Sequence, residues 1–273
     1  MRRFIILLAM LSASICMSGQ AQITTKKEKL SDFTLKTMKV VLSGNDFIDP
    51  ALKQAIKNTW TLSPYEFCTF EEFDNLKQNE SFYFLIPVKA QFRKESAPGT
   101  MLLVLAKGKA GAKGPDDMLE VVSIPLCAAD FPSGREAAIL PGLTDIIQSY
   151  VSKSLSGGFS GLGSITKRIS SDSKIYIAES EVSEGESLES LKKYEKRGVY
   201  IVPDETADEI FTEGEGDALI SYLVAPFEPE KGSVYWTMLI GARTHELHHL
   251  QKHIVGDDGY VGFKKRDFSS FSR

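Results

Sequence analysis

The sequence predicts an α/β (α+β) protein: a tandem duplication of a β-α-β-α-β-β-β unit, with mixed sheets that carry their helices on one face. Three observations lead to this fold class. Short apolar runs of strand length alternate with stretches whose apolar residues recur at helical spacing. The same order of elements then occurs a second time, as expected for an internal repeat. A long amphipathic helix and a glycine-rich stretch, at residues 139–164, separate the two copies.

The predicted segments follow from this pattern. In chain order they are a signal peptide (1–21), an irregular lead-in (22–36), a first α/β domain (37–138), the connecting helix with its glycine-rich linker (139–164) and a second α/β domain (165–273). Of the sequence, 42% is apolar and 16 residues are phenylalanine, which is enough material for two modest hydrophobic cores.

The first copy alternates strand and helix patterns before ending in a three-stranded meander. Asp49 is predicted to cap the first helix, with Pro50 at the first helical position, where a missing N–H costs nothing. Thr69 is predicted to cap the second helix. Strands are predicted at residues 38–42, 65–68, 81–88, 100–106 and 118–124.

The connecting helix, residues 140–155, has apolar residues at positions that share one face: Leu143, Ile146, Ile147, Tyr150 and Val151. The glycine-rich residues 156–163 follow a helix and lack the Lys-Ser/Thr ending of a phosphate-binding loop. We therefore interpret them as a helix end and linker.

The second copy repeats the pattern, with strands at residues 174–178, 198–202, 217–225, 234–242 and 248–255. Its helices are predicted at residues 187–197 and 203–211. The matches used to align the copies are residues 39–42 with 174–177, 84–86 with 222–224 and 100–102 with 237–239. Shared order, with few identities, favours duplication over chance.

The N-terminus has the features of a secretory signal. Arg2 and Arg3 precede an apolar run at residues 4–11, and small residues lead to a cleavage site before Gln22. The run is far shorter than the roughly 20 residues of a membrane span. We expect a periplasmic or secreted protein that does not span the membrane. A lipid anchor at Cys16 is the alternative, although Ile15 is a poor residue before such a cysteine.

The charge balance disfavours nucleic acid as a partner. Removing Arg2 and Arg3 from 32 basic residues leaves 30 against 36 acidic residues, a formal charge of −6. Basic and acidic residues are interleaved, and no basic stretch is rich in aromatic residues. A nucleic-acid-binding surface usually needs both features.

The two cysteines that follow the signal, Cys68 and Cys127, lie in apolar runs. Two buried thiols are the favoured interpretation, and a disulfide in an oxidising compartment is the alternative. Neither cysteine has a neighbouring histidine to form a nucleophilic thiolate. Trp60 and Trp236 could stack on a glycan, but a core position for each is favoured.

All four histidines lie at residues 245–253, and His245-Glu246-Leu247-His248-His249 fits the H-E-x-x-H pattern of zinc peptidases. On a helix, His245 and His249 would share a face and bind Zn²⁺ while Glu246 activated a water. A zinc-dependent metallopeptidase is therefore the alternative function. A third zinc ligand is hard to find, because no glutamate follows Glu246 and Val255 stands where a metzincin has histidine.

A β-hairpin is the favoured interpretation of the same stretch, because it occupies the place of the first copy's hairpin. In that geometry the turn carries His245, and His249 lies in the following strand, on the face that it shares with His253. The sequence then predicts no catalytic residue, no metal ligand and no cofactor.

Two resemblances bear on function. The signal ending Gly19-Gln20-Ala21-Gln22 and the overall style resemble uncharacterised secreted proteins of gut Bacteroidetes. Each half also resembles, in element order only, the small α/β N-terminal domain of the Tol-system β-propeller protein. These resemblances imply a non-catalytic binding or structural module of the cell envelope, whose partner is an envelope protein or a glycan. Open sheet edges would also permit homo-oligomers through strand pairing.

Overall fold

The computed structural model describes residues 30–157 and 161–271. The predicted signal peptide, its cleavage site and Cys16 lie outside the described residues. The strands are β1 (Thr37–Val41), β2 (Tyr65–Cys68), β3 (Phe82–Ala90), β4 (Thr100–Lys107), β5 (Leu119–Ala128), β6 (Lys174–Ala178), β7 (Val199–Val202), β8 (Ala218–Val224), β9 (Val234–Gly241) and β10 (Leu247–Ile254). The helices are α1 (Ile48–Thr59), α2 (Phe70–Leu76), α3 (Glu136–Ser156), α4 (Leu188–Leu191), α5 (Asp204–Glu213) and α6 (Lys265–Phe271).

The strands form two five-stranded mixed sheets of the same topology. The orders are β2-β1-β3-β4-β5 and β7-β6-β8-β9-β10. In each sheet the first three strands in sequence are parallel, and the last two add as antiparallel neighbours. The predicted α/β fold class is confirmed, and two similar sheet units fit the proposed duplication.

Helices cover both faces of the first sheet, although the sequence predicted helices on one face only. Adjacent side chains of a strand point to opposite faces. On β3, Tyr83 contacts Phe33, which in turn contacts Trp60 just after α1, whereas Phe84 contacts Phe73 of α2. The two crossover helices therefore lie on opposite sides of the sheet.

The second sheet is also covered on both faces. One face joins the large core that continues into the first half of the molecule, and it includes Ile220 and Ile240. The other face forms a separate cluster with the C-terminal segment, and it includes Ile175 and Phe268. The C-terminal helix α6 was not predicted from the sequence.

Helix α3 lies between the two halves. Thr144 contacts Thr59 of α1, with the two hydroxyl oxygens 2.8 Å apart. Gly142 lies so close to α5 that an added Cβ would stand 2.7 Å from the ring of Phe211. The helix begins four residues earlier than predicted and contains Pro141 near its start. Among the described residues, no helix is long and apolar enough to cross a membrane.

One predicted cap is wrong. Helix α1 begins at Ile48, so Asp49 lies within its first turn and does not cap it. The side chain of Asn45 accepts the backbone N–H groups of Phe47 and Ile48 instead. The Asp49 carboxylate turns back to the loop before the helix. Thr69 caps α2 as predicted, in a reciprocal capping box with Glu72.

Candidate ligand-binding crevice

The topology creates a crevice in each sheet at the carboxyl ends of two parallel strands. From β1 the chain crosses to β2 on one side, whereas from β3 it continues to β4 on the other side. Connections that leave neighbouring parallel strands in opposite directions open a gap between them, and ligands of α/β proteins commonly bind there. The second sheet has the equivalent position between β6 and β8.

In the first half this crevice is an open cavity of about 540 Å³. That volume lies within the usual range for small-molecule sites. Its lining is mainly apolar and comes from both strands, the adjacent loops, α2 and β4: Val41, Ser43, Gly44, Asn45, Phe70, Ile86, Pro87, Val88, Lys89, Met101, Pro115, Ala129 and Asp130.

The crevice exists because β1 ends before β3 does. Their ladder runs from Thr37 with Phe82 to Val40 with Leu85, and β3 then continues to Ala90 along β4. Pro87 lies in this extension and lines the cavity. A proline has no N–H to donate, so it suits a strand edge that has no neighbouring strand.

The loop after β1 is held away from β3 by one carboxylate. Asp49, which is 9% exposed, accepts the backbone N–H and the hydroxyl of Ser43, both at 2.9 Å, and the N–H of Gly44 at 2.8 Å. Gly44 has a positive φ of 80°, which favours glycine. These donors are satisfied within the protein, so the loop forms a wall of the cavity without offering an anion site.

In the second half the equivalent position is filled. Glu181 ends the short 3-10 turn that follows β6, and it accepts the Leu223 N–H of β8 at 2.9 Å. Arg135, just before α3, donates to the Glu181 carboxylate and to the Ser221 carbonyl oxygen. Arg135 and Glu181 are 4% and 3% exposed. A buried ion pair from another element thus occupies the gap that is open in the first half.

The electrostatics of this pair are those of a buried cluster of charges. Burial lowers the pKa of Arg135, but the nearby Glu181 and Asp208 carboxylates outweigh burial and raise it overall. Burial raises the pKa of Glu181, and Arg135 opposes that rise. Without Arg135 the buried Glu181 carboxylate loses its cation, whereas without Glu181 the guanidinium of Arg135 still pairs with Asp208.

A second, smaller cavity of about 240 Å³ lies between the two halves. Its lining comes from the β3–β4 loop, the segment after β5 and the β8–β9 loop, and it shares Asp130 with the first cavity. Phe131 and Phe227 lie here with their ring centroids 4.6 Å apart. They are 61% and 63% exposed, which is unusual for phenylalanine.

The predicted hairpin at the histidines is confirmed. β9 and β10 pair as antiparallel strands, so His245 lies in the turn and His249 in β10, and the helix needed by a zinc peptidase is not formed. His245 has a positive φ of 51°, and its Nδ1 lies 2.7 Å from Asp145 Oδ2 on α3. This geometry fits a contact between the halves and does not bring His245 and His249 together.

His249 and His253 do share a face, as predicted. Both rings lie within hydrogen-bond distance of the Thr237 hydroxyl, at 3.1 and 2.9 Å. Arg266 of α6 lies 3.2 Å from Nδ1 of His253, and a guanidinium can only donate. Burial lowers the pKa of His249 to about 4, and burial together with Arg266 lowers the pKa of His253 to about 4.

The remaining candidates have structural positions. Cys68 and Cys127 are free, buried thiols, as favoured, and burial raises the pKa of Cys68 to about 11 and that of Cys127 to about 12. Trp60 and Trp236 are both buried. In the part of the chain that the structure describes, no group of three or more histidine, cysteine or carboxylate side chains is placed to hold a metal ion.

The sequence analysis did not single out the crevice. The gap depends on the strand order β2-β1-β3, which the element order β-α-β-α-β-β-β does not specify. The sequence did not predict which of the two copies has the open gap, because Arg135 and Glu181 are separated by 46 residues and form no local pattern.

Comparison with protein-family models, with curated proteins and with solved structures gives no match to this chain.

Proposed function

We propose that this protein is an exported, non-catalytic binding module of the cell envelope, and that its ligand enters the crevice between β1 and β3. One observation carries the proposal. The same position in the second half is filled by the Arg135–Glu181 pair, whereas in the first half it is an open cavity of about 540 Å³. An open apolar pocket with a few polar groups is the usual form of a binding site.

The lining favours binding over chemistry. Its polar members already have partners: Lys89 donates to Asp130, Ser43 donates to Asp49, and the Asn45 oxygen accepts two backbone N–H groups. The remaining wall is aliphatic or aromatic. Apolar surface drives binding by its removal from water, which needs no reactive group. Export is supported by the apolar, basic-led N-terminal sequence.

Binding can be tested with small fragments before any natural ligand is identified. Methyl NMR spectra would be recorded with indole, cyclohexanol and benzylamine. We expect concentration-dependent shifts at the methyl groups of Ile86, Val88 and Met101, which line the cavity. Shifts confined to methyl groups of the second sheet, or no shifts with any fragment, would overturn the proposal.

A pair of variants localises the binding. Val88→Trp places a large ring in the cavity and should abolish the fragment shifts without unfolding the protein, because Val88 is only half-buried. Ile254→Trp is the matched control, since Ile254 is a strand residue of the second half and is 62% exposed. Equal loss of binding in both variants would place the fragments elsewhere.

The proposed export of the protein is tested by a separate measurement. N-terminal sequencing of the processed protein should begin at Gln22. A product that begins at a lipid-modified Cys16 would support the anchored form, and an unprocessed chain would contradict export.

A further inference from the structure

We infer that the two cavities form one continuous binding surface for a peptide segment that carries both apolar and basic side chains. This inference rests on the proposed function and specifies its ligand. It is argued from the position of four exposed phenylalanines, from the charges of the lining and from the geometry of the free edge of β3.

The described residues include four exposed phenylalanines: three follow strands at one end of the first sheet, and the fourth follows β8 of the second sheet. Phe47 follows the β1 loop, Phe70 begins α2, Phe131 follows β5 and Phe227 stacks on Phe131. Phe70 lines the larger cavity, while Phe131 and Phe227 line the smaller one. Exposed apolar groups gathered around cavities mark an interaction surface, whereas scattered ones do not.

The two cavities are neighbours that share one lining residue. Asp130 lines both, and Phe131 follows it on the side of the smaller cavity. A ligand that covers both cavities must therefore pass over Asp130. A ligand that spans both cavities must be elongated, which suits an extended chain of several residues better than a single small molecule.

The charges of the lining favour a basic ligand. The combined lining has four carboxylates, Asp130, Glu95, Glu228 and Glu230, against the single basic side chain of Lys89, a net of −3. Asp130 is paired with Lys89, and the Glu95 carboxylate accepts backbone N–H groups of Phe92 and Val234. The Glu230 carboxylate accepts one long hydrogen bond, 3.5 Å from the Ser96 hydroxyl, so it and Glu228 can still face a ligand, with aromatic rings beside them that also attract cations.

The free edge of β3 disfavours a ligand that adds as a strand. Pro87 stands where strand addition would need a backbone N–H donor. A peptide would instead bind through its side chains, with apolar groups in the cavities and basic groups at the rim. Phenylalanine rings offer no hydrogen-bonding group, so they suit apolar side chains better than a glycan.

The described part of the chain begins at the other end of the first sheet from this surface. Asp32 pairs with Lys107, at the end of β4, with 2.8 Å between Nζ and Oδ2. β4 runs antiparallel to β3, so its last residue lies at the sheet edge opposite the cavities. We therefore take a separate peptide as the occupant, on the charge and shape of the described lining.

The experiment uses a short, fluorescein-labelled, acetylated peptide of alternating lysine and leucine. Fluorescence anisotropy would measure its binding to the full processed chain, with a glutamate–leucine and a lysine–serine peptide as comparisons. We expect only the lysine–leucine peptide to bind well, and its affinity to fall as salt is raised. Equal binding of all three peptides, or tighter binding of the glutamate–leucine peptide, would overturn the inference.

Paired variants tie the binding to the surface. We expect Phe131→Ser with Phe227→Ser, and separately Glu228→Gln with Glu230→Gln, to weaken the affinity roughly tenfold each. The matched controls are Leu35→Ser, at a site 85% exposed outside this surface, and Glu213→Gln at the end of α5. Controls that weaken binding as much as the surface variants would contradict the inference.

The outcomes separate the inference from the proposed function. If fragments shift the methyl groups of Ile86 and Val88 but the peptide does not bind, the peptide inference fails and the binding proposal stands. If neither binds, both fail. Analytical ultracentrifugation adds the remaining occupant: dimers that disappear in the Phe131→Ser, Phe227→Ser variant would show that a second copy covers the surface, which also overturns the inference.

Discussion

The two halves of this molecule use the same topological gap in opposite ways. Between β1 and β3 the gap is an open cavity lined by Val41, Ile86 and Pro87. Between β6 and β8 it is filled by Glu181 from its own half and Arg135 from the start of α3. Because α3 lies between the halves, its first residues can reach only one of the two gaps.

The loops after the first strand of each half explain how the two gaps came to differ. Ser43 is bonded to Asp49 of the next helix, which draws its loop toward α1. Ser180 is bonded to Asp204 of α5, at 3.1 Å for the N–H and 2.5 Å for the hydroxyl. The second loop therefore runs the other way and brings Glu181 over the gap. The second gap is thus part of the interface between the halves, whereas the first gap stays open.

The substitution with the largest expected effect removes Arg135, the cation that fills the second gap. Arg135→Met should lower the free energy of unfolding by roughly 3–5 kcal/mol, because it leaves the Glu181 carboxylate buried without its partner. Urea denaturation followed by circular dichroism measures the change. The fragment-induced shifts at Ile86 and Val88 should remain under native conditions, because these residues belong to the other gap.

Two further variants show whether the loss comes from the unpaired charge. Arg135→Met combined with Glu181→Leu should recover much of the stability, since apolar side chains can replace a buried ion pair. Arg243→Met is the control for loss of a positive charge at an exposed ion pair with Asp217, and should cost under about 1 kcal/mol. A loss below 1 kcal/mol for Arg135→Met would mean that the pair does not hold the second half together.

The halves should also differ in their response to acid. Burial holds the pKa of His253 at about 4, against 6.5 for the free side chain, and His253 is 6% exposed. Between these values the unfolded chain binds a proton that the folded chain does not. Stability should therefore fall as the pH drops from about 6.5 to about 4, by about 3 kcal/mol for this group. Urea denaturation at a series of pH values measures the slope.

The structure also indicates where acid acts first. His253 faces Arg266, His249, Lys264 and the stacked ring of Tyr235, so a proton on it would meet positive charges. Hydrogen exchange should show β10 and α6 losing protection at low pH before β3 and β4 do. Replacing His249 and His253 together by glutamine, which can keep a hydrogen bond to Thr237, should flatten the slope. An unchanged slope would show that other groups cause it.

Much of the fold followed from sequence patterns, because strands, crossover helices and hairpins each leave a local pattern. Register did not. The sequence comparison matched Lys39 to Lys174. In the structure, the first pairs of the two equivalent ladders are Met38 with Tyr65 and Ile175 with Val199. Superposing these pairs matches Met38 to Ile175, and so Lys39 to Tyr176. A shift of two residues keeps every side chain on its face, so alternation of apolar residues cannot detect it. Helix α6 was missed because Lys264 precedes it where α2, which also has seven residues, has the capping residue Thr69.

The sequence predicted neither the position of the candidate site, which depends on the strand order, nor its open state. The Asp49 contact could not be found from local rules, because the acid lies in a helix whose cap is Asn45. The exposure of Phe131 and Phe227 depends on how the two halves pack, and no pattern within either half specifies it. The sequence patterns did not specify how α3 packs against residues that are distant from it in the chain.

The smallest expected effect concerns the two serine-to-aspartate contacts that set the loops apart. Asp49→Ala removes a buried carboxylate that accepts hydrogen bonds from Ser43 and Gly44. It should cost about 1–2 kcal/mol, because backbone N–H groups lose their acceptor in a partly buried place. Asp204→Ala should cost less, under about 1 kcal/mol, because its contacts with Ser180 are exposed to water. Thermal denaturation of both variants in the same buffer gives the comparison.

A second measurement distinguishes a role in the open gap from a general loss of stability. Without Asp49 the loop at Ser43 is free to move toward β3, so the fragment shifts at Ile86 and Val88 should weaken at a temperature where the variant remains folded. Asp204→Ala should leave those shifts unchanged, since its loop borders the filled gap. If both variants bind fragments as the unaltered protein does, the open state of the first gap depends on the length difference between β1 and β3 and not on the loop.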